Sequence, residues 1–294
     1  MKNLFIALLP LAVLAGCAVD PVVEDDAPNA GVDQALASFE FDSTALAKVP
    51  TAETIPAAHL TLDKLNELNI TSALLGTTEK PVRVTAVGNN QSFKTSGWEL
   101  EKDSFTGRIF GLSTIPSGPA VTVDETRLQR LALDRILKLG VGSGEVGRIL
   151  QRKSMLQDFD GATPDAPTLH GYKTFIFRAI GGVPVVGHRA VITHGVDGVV
   201  RRAVLKWPAL ASTGHLLHTK LLQKDIELRA TEALARAGES KGKVMLFWQY
   251  KPVVTTTGEV TLKLMAGARM RAIAQTDGTT EEPRTVDVDV YATP

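Results

Sequence analysis

The chain has 294 residues, 44% of them apolar and 22% charged, and its 32 basic side chains balance its 32 acidic ones. That is the composition of a folded protein long enough for a sizeable core, and it carries no recognisable nucleic-acid module. The single cysteine excludes an internal disulfide framework and a cysteine-based zinc site.

The N-terminus has the layout of a secretory signal. Lys2 supplies a positive start, Leu4 to Leu14 is apolar apart from Pro10, and small residues follow. The run is too short for a spanning helix, which needs about 20 apolar residues. The tetrapeptide Leu14-Ala15-Gly16-Cys17 resembles the lipobox of bacterial lipoprotein precursors. That resemblance implies cleavage between Gly16 and Cys17, a lipid on the Cys17 sulfur, and membrane attachment through that lipid. Ala18 follows the cysteine where a retention signal would place Asp, which points to the outer membrane rather than the inner one.

Residues 1–16 are thus expected to be the signal and residues 17–56 a lipidated acidic tether. From Ala18 to Ala47 there are seven acids and no Lys or Arg, and Pro21, Pro28, Pro50 and Pro56 break the pattern. Such a segment buries too little apolar surface to offset its ordering entropy.

Residues 57–122 read as mostly β. Thr61 to Asn69 is spaced as a short helix. Val82 to Val87, Trp98 to Leu100 and Phe105 to Phe110 follow as strands, separated by turn residues such as Gly88-Asn89-Asn90. Residues 123–210 form the next expected module. Asp124 is a good N-cap, Leu128, Leu131, Ile136 and Leu139 repeat at helical spacing, and Gly140 stops the helix. Ser143 to about Met155 is expected as a second helix through Val146, Ile149 and Leu150. Tyr172 to Ala179, Val183 to His194 and Val199 to Trp207 are strands joined by Gly181-Gly182 and Asp197-Gly198 turns.

Residues 211–294 repeat the order. Gln223 to Ala237 is helical, with Ile226, Ala230 and Ala233 on one side. Val244 to Val254, Glu259 to Ala266, Arg269 to Gln275 and Thr285 to Tyr291 are strands. Valines alternate with Asp287 and Asp289 in the last of these, which gives it one wet face. The expected fold class is α+β, with helices packed on antiparallel sheets.

The stretch Phe175-Ile176-Phe177-Arg178-Ala179-Ile180-Gly181-Gly182-Val183-Pro184-Val185-Val186-Gly187 leads into Ala190-Val191-Ile192 and then Asp197-Gly198-Val199-Val200. It resembles the PepSY-like and FTP-like modules of secreted metalloprotease propeptides and stand-alone exported proteins. The resemblance covers Asp124 to Trp207 and implies a module that restrains or assists a protease, and the repeated order of helix then strands makes residues 211–294 a candidate second copy. The His-Glu-x-x-His motif of such a protease is absent from these 294 residues, so the role would be exerted on a separate protein.

No motif assigns a catalytic residue, a metal ligand or a cofactor. Gly142-Ser143-Gly144-Glu145-Val146-Gly147 matches Gly-x-Gly-x-x-Gly, but it follows a helix rather than a strand, the wrong context for a dinucleotide site. His188 and His194 are six apart on one strand, about 20 Å, too far to share a metal unless a bulge intervenes. His215 and His218 lack an evident third ligand, and Asp158 and Asp160 before Gly161 fall short of a calcium loop. Trp98, Trp207, Trp248 and Tyr250 read as core or sheet-face residues. From Arg201 to Arg271 thirteen Lys and Arg face five acids, either a solvated face or an attraction for an acidic partner.

The expectation is therefore a non-enzymatic exported lipoprotein. It would bind a protein or peptide partner, not nucleic acid. The alternatives are a structural component of an envelope assembly and an unrecognised envelope hydrolase.

Overall fold

The computed structural model describes residues 38–46, 52–56, 67–103, 106–157, 166–208, 215–216, 223–254, 260–272 and 284–290. Gly16, Cys17, the signal and most of the tether lie outside them, as do His218, Asp158, Asp160 and Gly161.

Fourteen strands are described. They are β1 (Ser38–Asp42), β2 (Ala52–Pro56), β3 (Val82–Val87), β4 (Asn90–Lys94), β5 (Trp98–Asp103), β6 (Arg108–Ser113), β7 (Val146–Leu156), β8 (Thr168–Ile180), β9 (Val183–Gly195), β10 (Val200–Lys206), β11 (His215–Leu216), β12 (Lys241–Val254), β13 (Val260–Ala272) and β14 (Arg284–Val290). The described α-helices are a single turn α1 (Glu67–Ile70), continued by a wider π turn over Thr71–Leu75, and the 14-residue helices α2 (Glu125–Lys138) and α3 (Gln223–Arg236).

The strands join one continuous sheet in two halves. One half is antiparallel throughout and runs β7-β8-β9-β10-β6-β5-β4-β3. In the other half, β12 pairs β1 in parallel and β13 antiparallel, and β13 pairs β14 along one end and β2 along the other. Strand β9 links the halves, with Val185 opposite Tyr250 of β12.

This architecture corrects the expected α+β class: the fold is β-sheet-rich, and only two of its described helices exceed a few residues. The main reason is the segment after Ser143. It makes one short helical turn, Ser143–Glu145, and then becomes β7, paired with β8 along eleven residues. Register shifts between Val146 and Ile149, and between Ser154 and Met155, break the period-2 alternation. The bulge leaves Val146, Ile149 and Leu150 at a spacing that mimics a helix.

A second correction concerns β13, which is one strand where two were expected. The interruption was Gly267, flanked by Ala266 and Ala268. A Cβ on Gly267 would lie 2.7 Å from the ring of Phe247, so the small residue makes room for an aromatic on β12.

Helix α2 forms as expected. The Asp124 side chain accepts the Thr126 N–H at 2.9 Å, and Leu128, Ala132 and Ile136 turn inward. Ala132 and Ile136 pack with Ile176 of β8, Ala190 and Ile192 of β9, Ala203 and Leu205 of β10, and the π turn. Each Leu or Ile side chain fully buried in this way contributes roughly 1.5–3 kcal/mol. Arg135 of α2 donates to the Leu74 carbonyl at 2.8 Å and so satisfies an orphan acceptor at the end of that turn. In the other half Ile226, Ala230 and Leu234 of α3 pack on Val244, Leu246, Leu264, Ala268 and Val290. Trp98, Trp207, Trp248 and Tyr250 are all buried.

Candidate functional site

One face of the first half-sheet carries α2 and the core. No described helix covers the other face, and strand alternation fixes what it displays. Paired registers place Phe175 of β8 beside Val191 of β9, Val191 beside Val204 of β10, and Val204 beside Phe110 of β6. This is a half-buried apolar row across four strands, about 14 Å from end to end.

Cations flank the row on both sides, one side-chain repeat away. On one side lie Lys173 of β8, Thr193 of β9, Arg202 of β10 and Leu112 of β6, the last 42% exposed. On the other lie Phe177, Arg189, Lys206 and Arg108, on the same four strands. None of Lys173, Arg189, Arg202, Lys206 and Arg108 forms an ion pair with a carboxylate of the described residues. Two of them lie over an aromatic ring instead. The Arg202 guanidinium lies 5.0 Å from the Phe110 ring centre and that of Arg108 5.9 Å, while Phe175 and Phe177 stack at 6.3 Å. Held over rings, these guanidinium groups are pre-oriented while staying open to a carboxylate.

The character changes at the next strand. Glu101 of β5 lies beside Phe110, Glu99 beside Leu112 and Asp103 beside Arg108, so an acidic column closes the cationic area. Lys94 of β4 pairs with Glu99 at 2.8 Å.

Behind this face lies a buried polar box. Arg178 of β8 is 1% exposed. Its Nη2 donates to Glu145 Oε2 at 2.5 Å, and its Nη1 donates to the Pro208 carbonyl at 2.6 Å and lies 3.4 Å from His188 Nδ1. Trp207 donates its Nε1 hydrogen to the same Glu145 oxygen at 3.0 Å, and its ring lies under the Arg178 guanidinium. Burial holds the His188 imidazole at about 3, helped by the positive charges of Arg178 and Lys206. It is therefore neutral at physiological pH. The box joins the turn before β7 to β8, β9 and the end of β10, and so fixes the strands that display the cations.

Among the histidines singled out in the sequence, His188 belongs to this box. His194 is 1% exposed, and neither ring nitrogen has a hydrogen-bond partner. His215 is described only by its backbone pairing with Thr54. The Gly142–Gly147 motif spans a short turn and the start of β7, with Glu145 committed to Arg178. The stretch from Phe175 to Gly187 is divided. Phe175 and Phe177 face outward, Ile176 and Arg178 are buried, and Gly181, Gly182 and Gly187 take positive φ values of 58°, 84° and 75° at the turn and a β9 irregularity. Among the described basic residues from Arg201 to Arg271, Arg202 and Lys206 reach this open face.

Fold and face together define a β-sheet-rich scaffold with an exposed cationic–aromatic sheet surface. No protein-family model and no curated protein matches the sequence. Among solved structures, a crystal structure of an uncharacterized protein from Eubacterium rectale ATCC 33656 is similar to this chain at a TM-score of 0.46 and 11% identity, covering 86% of this chain and 89% of that one.

Proposed function

We propose that this protein is an exported lipoprotein, anchored through a lipid on Cys17, whose folded body binds a protein or peptide partner rather than catalysing a reaction. The open face of β8, β9, β10 and β6 carries the reading. Aromatic and Arg side chains are the residues that dominate binding energy at protein interfaces, and here they stand together on a paired, rigid surface. Leu14-Ala15-Gly16-Cys17 supports the anchor. The PepSY-like character of the segment from Phe175 to Val200 makes an exported protease, restrained or assisted by this chain, the partner to look for first. The outer membrane is the proposed location.

Metabolic labelling with a palmitate analogue tests the anchor: label is expected on the parent and absent from Cys17→Ser. Crosslinking in the native envelope, followed by detergent pull-down and mass spectrometry, tests the function. Enrichment of one exported protein in fixed proportion supports the reading, and recovery of the chain alone refutes it.

A further inference from the structure

We infer that the open face of β8, β9, β10 and β6 takes a short acidic amphipathic segment of a protein partner, with its apolar side on the Phe175–Val191–Val204–Phe110 row and its carboxylates on the cations at either side. The inference rests on the binding-protein reading above and names the chemistry of the partner.

Three observations converge. Lys173 and Arg202 flank the apolar row on one side and Arg189, Lys206 and Arg108 on the other, each about two residues along its strand, or roughly 7 Å, from the row. A ligand that matches it needs an apolar centre and acid on both edges, which a helix of about 10–12 Å diameter provides when its apolar stripe faces down. The cations are free of carboxylate partners among the described residues and two of them are held over Phe110, so a partner's acids replace no existing ion pair. The acidic column Glu99, Glu101 and Asp103 then bounds the area on the β5 side.

That boundary favours a protein over a uniform polyanion. A long anionic glycan, nucleic acid or phospholipid surface laid along the row runs onto like charge within one strand spacing, about 5 Å, beyond Phe110. A protein segment can end there or change sign.

The test uses the full mature chain and fluorescence anisotropy at low and moderate salt. The probe is a labelled 14-residue peptide with Leu on one helical face and Glu on both flanks. The comparison ligands are poly-glutamate of the same length, heparin and phosphatidylglycerol vesicles. Saturable, salt-weakened binding of the peptide is expected, at least about tenfold tighter than to any of the three. Arg202→Glu with Lys206→Glu should weaken it about tenfold or more. Glu101→Lys, an exposed change that spares the core, should tighten it several-fold. Thermal melts confirm that each variant is folded. Binding of poly-glutamate, heparin or vesicles as tightly as the peptide overturns the inference. So does an unchanged affinity in both variants, or no binding of the peptide at all.

The same double variant, carried through the envelope pull-down, separates the two claims. A partner that still co-purifies in full refutes the face while leaving the binding-protein reading intact. Absence of any partner from the parent refutes that reading.

Discussion

Replacing His194 with Leu should make the protein less sensitive to acid. His194 lies on the core side of β9, 1% exposed, between Tyr172 on β8 and Val200 on β10, with both ring nitrogens unpartnered. Burial lowers its pKa to about 4, and the charge of Arg135 pushes the same way. In the unfolded chain the ring titrates near its ordinary 6.5. The folded value is the depressed one, so the unfolded state binds more protons wherever the pH lies below about 6.5. The stability contributed by the neutral ring is complete above that pH and is lost as pH falls toward 4. A shift of about 2.5 units corresponds to roughly 3 kcal/mol in full, of which about 2 kcal/mol is already lost at pH 5. Leu cannot titrate, fills a similar volume and removes an unsatisfied polar group. Urea unfolding followed by tryptophan fluorescence at pH 8, 6.5 and 5 measures the difference. Between pH 8 and pH 5 the parent should lose about 2 kcal/mol more than His194→Leu. Parallel stability curves for the two proteins over that range would refute the reasoning, because the buried neutral ring would then carry no proton linkage.

Glu145→Gln leaves Arg178 buried without its counter-charge and should lower stability by roughly 3 kcal/mol at neutral pH, measured by the same urea titration. Arg178→Met with Glu145→Gln should recover most of that loss, since the pair is replaced by groups that need no charge partner. Gly171→Ala places a Cβ 2.3 Å from the His194 carbonyl oxygen, so β8 and β9 must separate locally; the melting temperature should fall by several degrees, and an unchanged value would mean the strands yield without cost. Asp124→Ala removes the cap on the Thr126 amide and should cost about 1 kcal/mol, while Asp124→Ser should restore most of it.

What the sequence made legible was local. Helix α2 announces itself through Asp124, the repeat of Leu128 and Ile136, and Gly140, all within seventeen residues, and the structure keeps each of them. The β9–β10 hairpin is equally plain, because Asp197 and Gly198 build the turn, with Gly198 at a φ of 75°. Strand β7 was illegible because its bulge at Val146–Ile149 replaces alternation with a helix-like spacing. The α+β expectation failed with it, since a second helix there would have left β8 without its outer neighbour.

The candidate face was hidden for a different reason. Phe110 meets Val204 only because β6 pairs with β10 across the sheet, two strands separated in the chain by α2, β7, β8 and β9. No periodicity within either segment records that pairing. Counting charge along the chain gathered Arg202 and Lys206 into a basic stretch that continues to Arg271, yet Arg269 is committed to Asp287 and Lys251 to Asp289 in the other half-sheet. The same count missed Arg108, Lys173 and Arg189, which lie before it. A cation's worth for binding depends on whether a carboxylate already holds it and on what stands beside it, and both are properties of register. Arg178 illustrates the contrast. It sits one residue from Phe177 on the same strand, but alternation sends it inward to Glu145, where it braces the sheet, while Lys173 and Phe177 point outward. Strand alternation thus divides the basic residues of β8 between stability and display, and only the outward set is available to a partner.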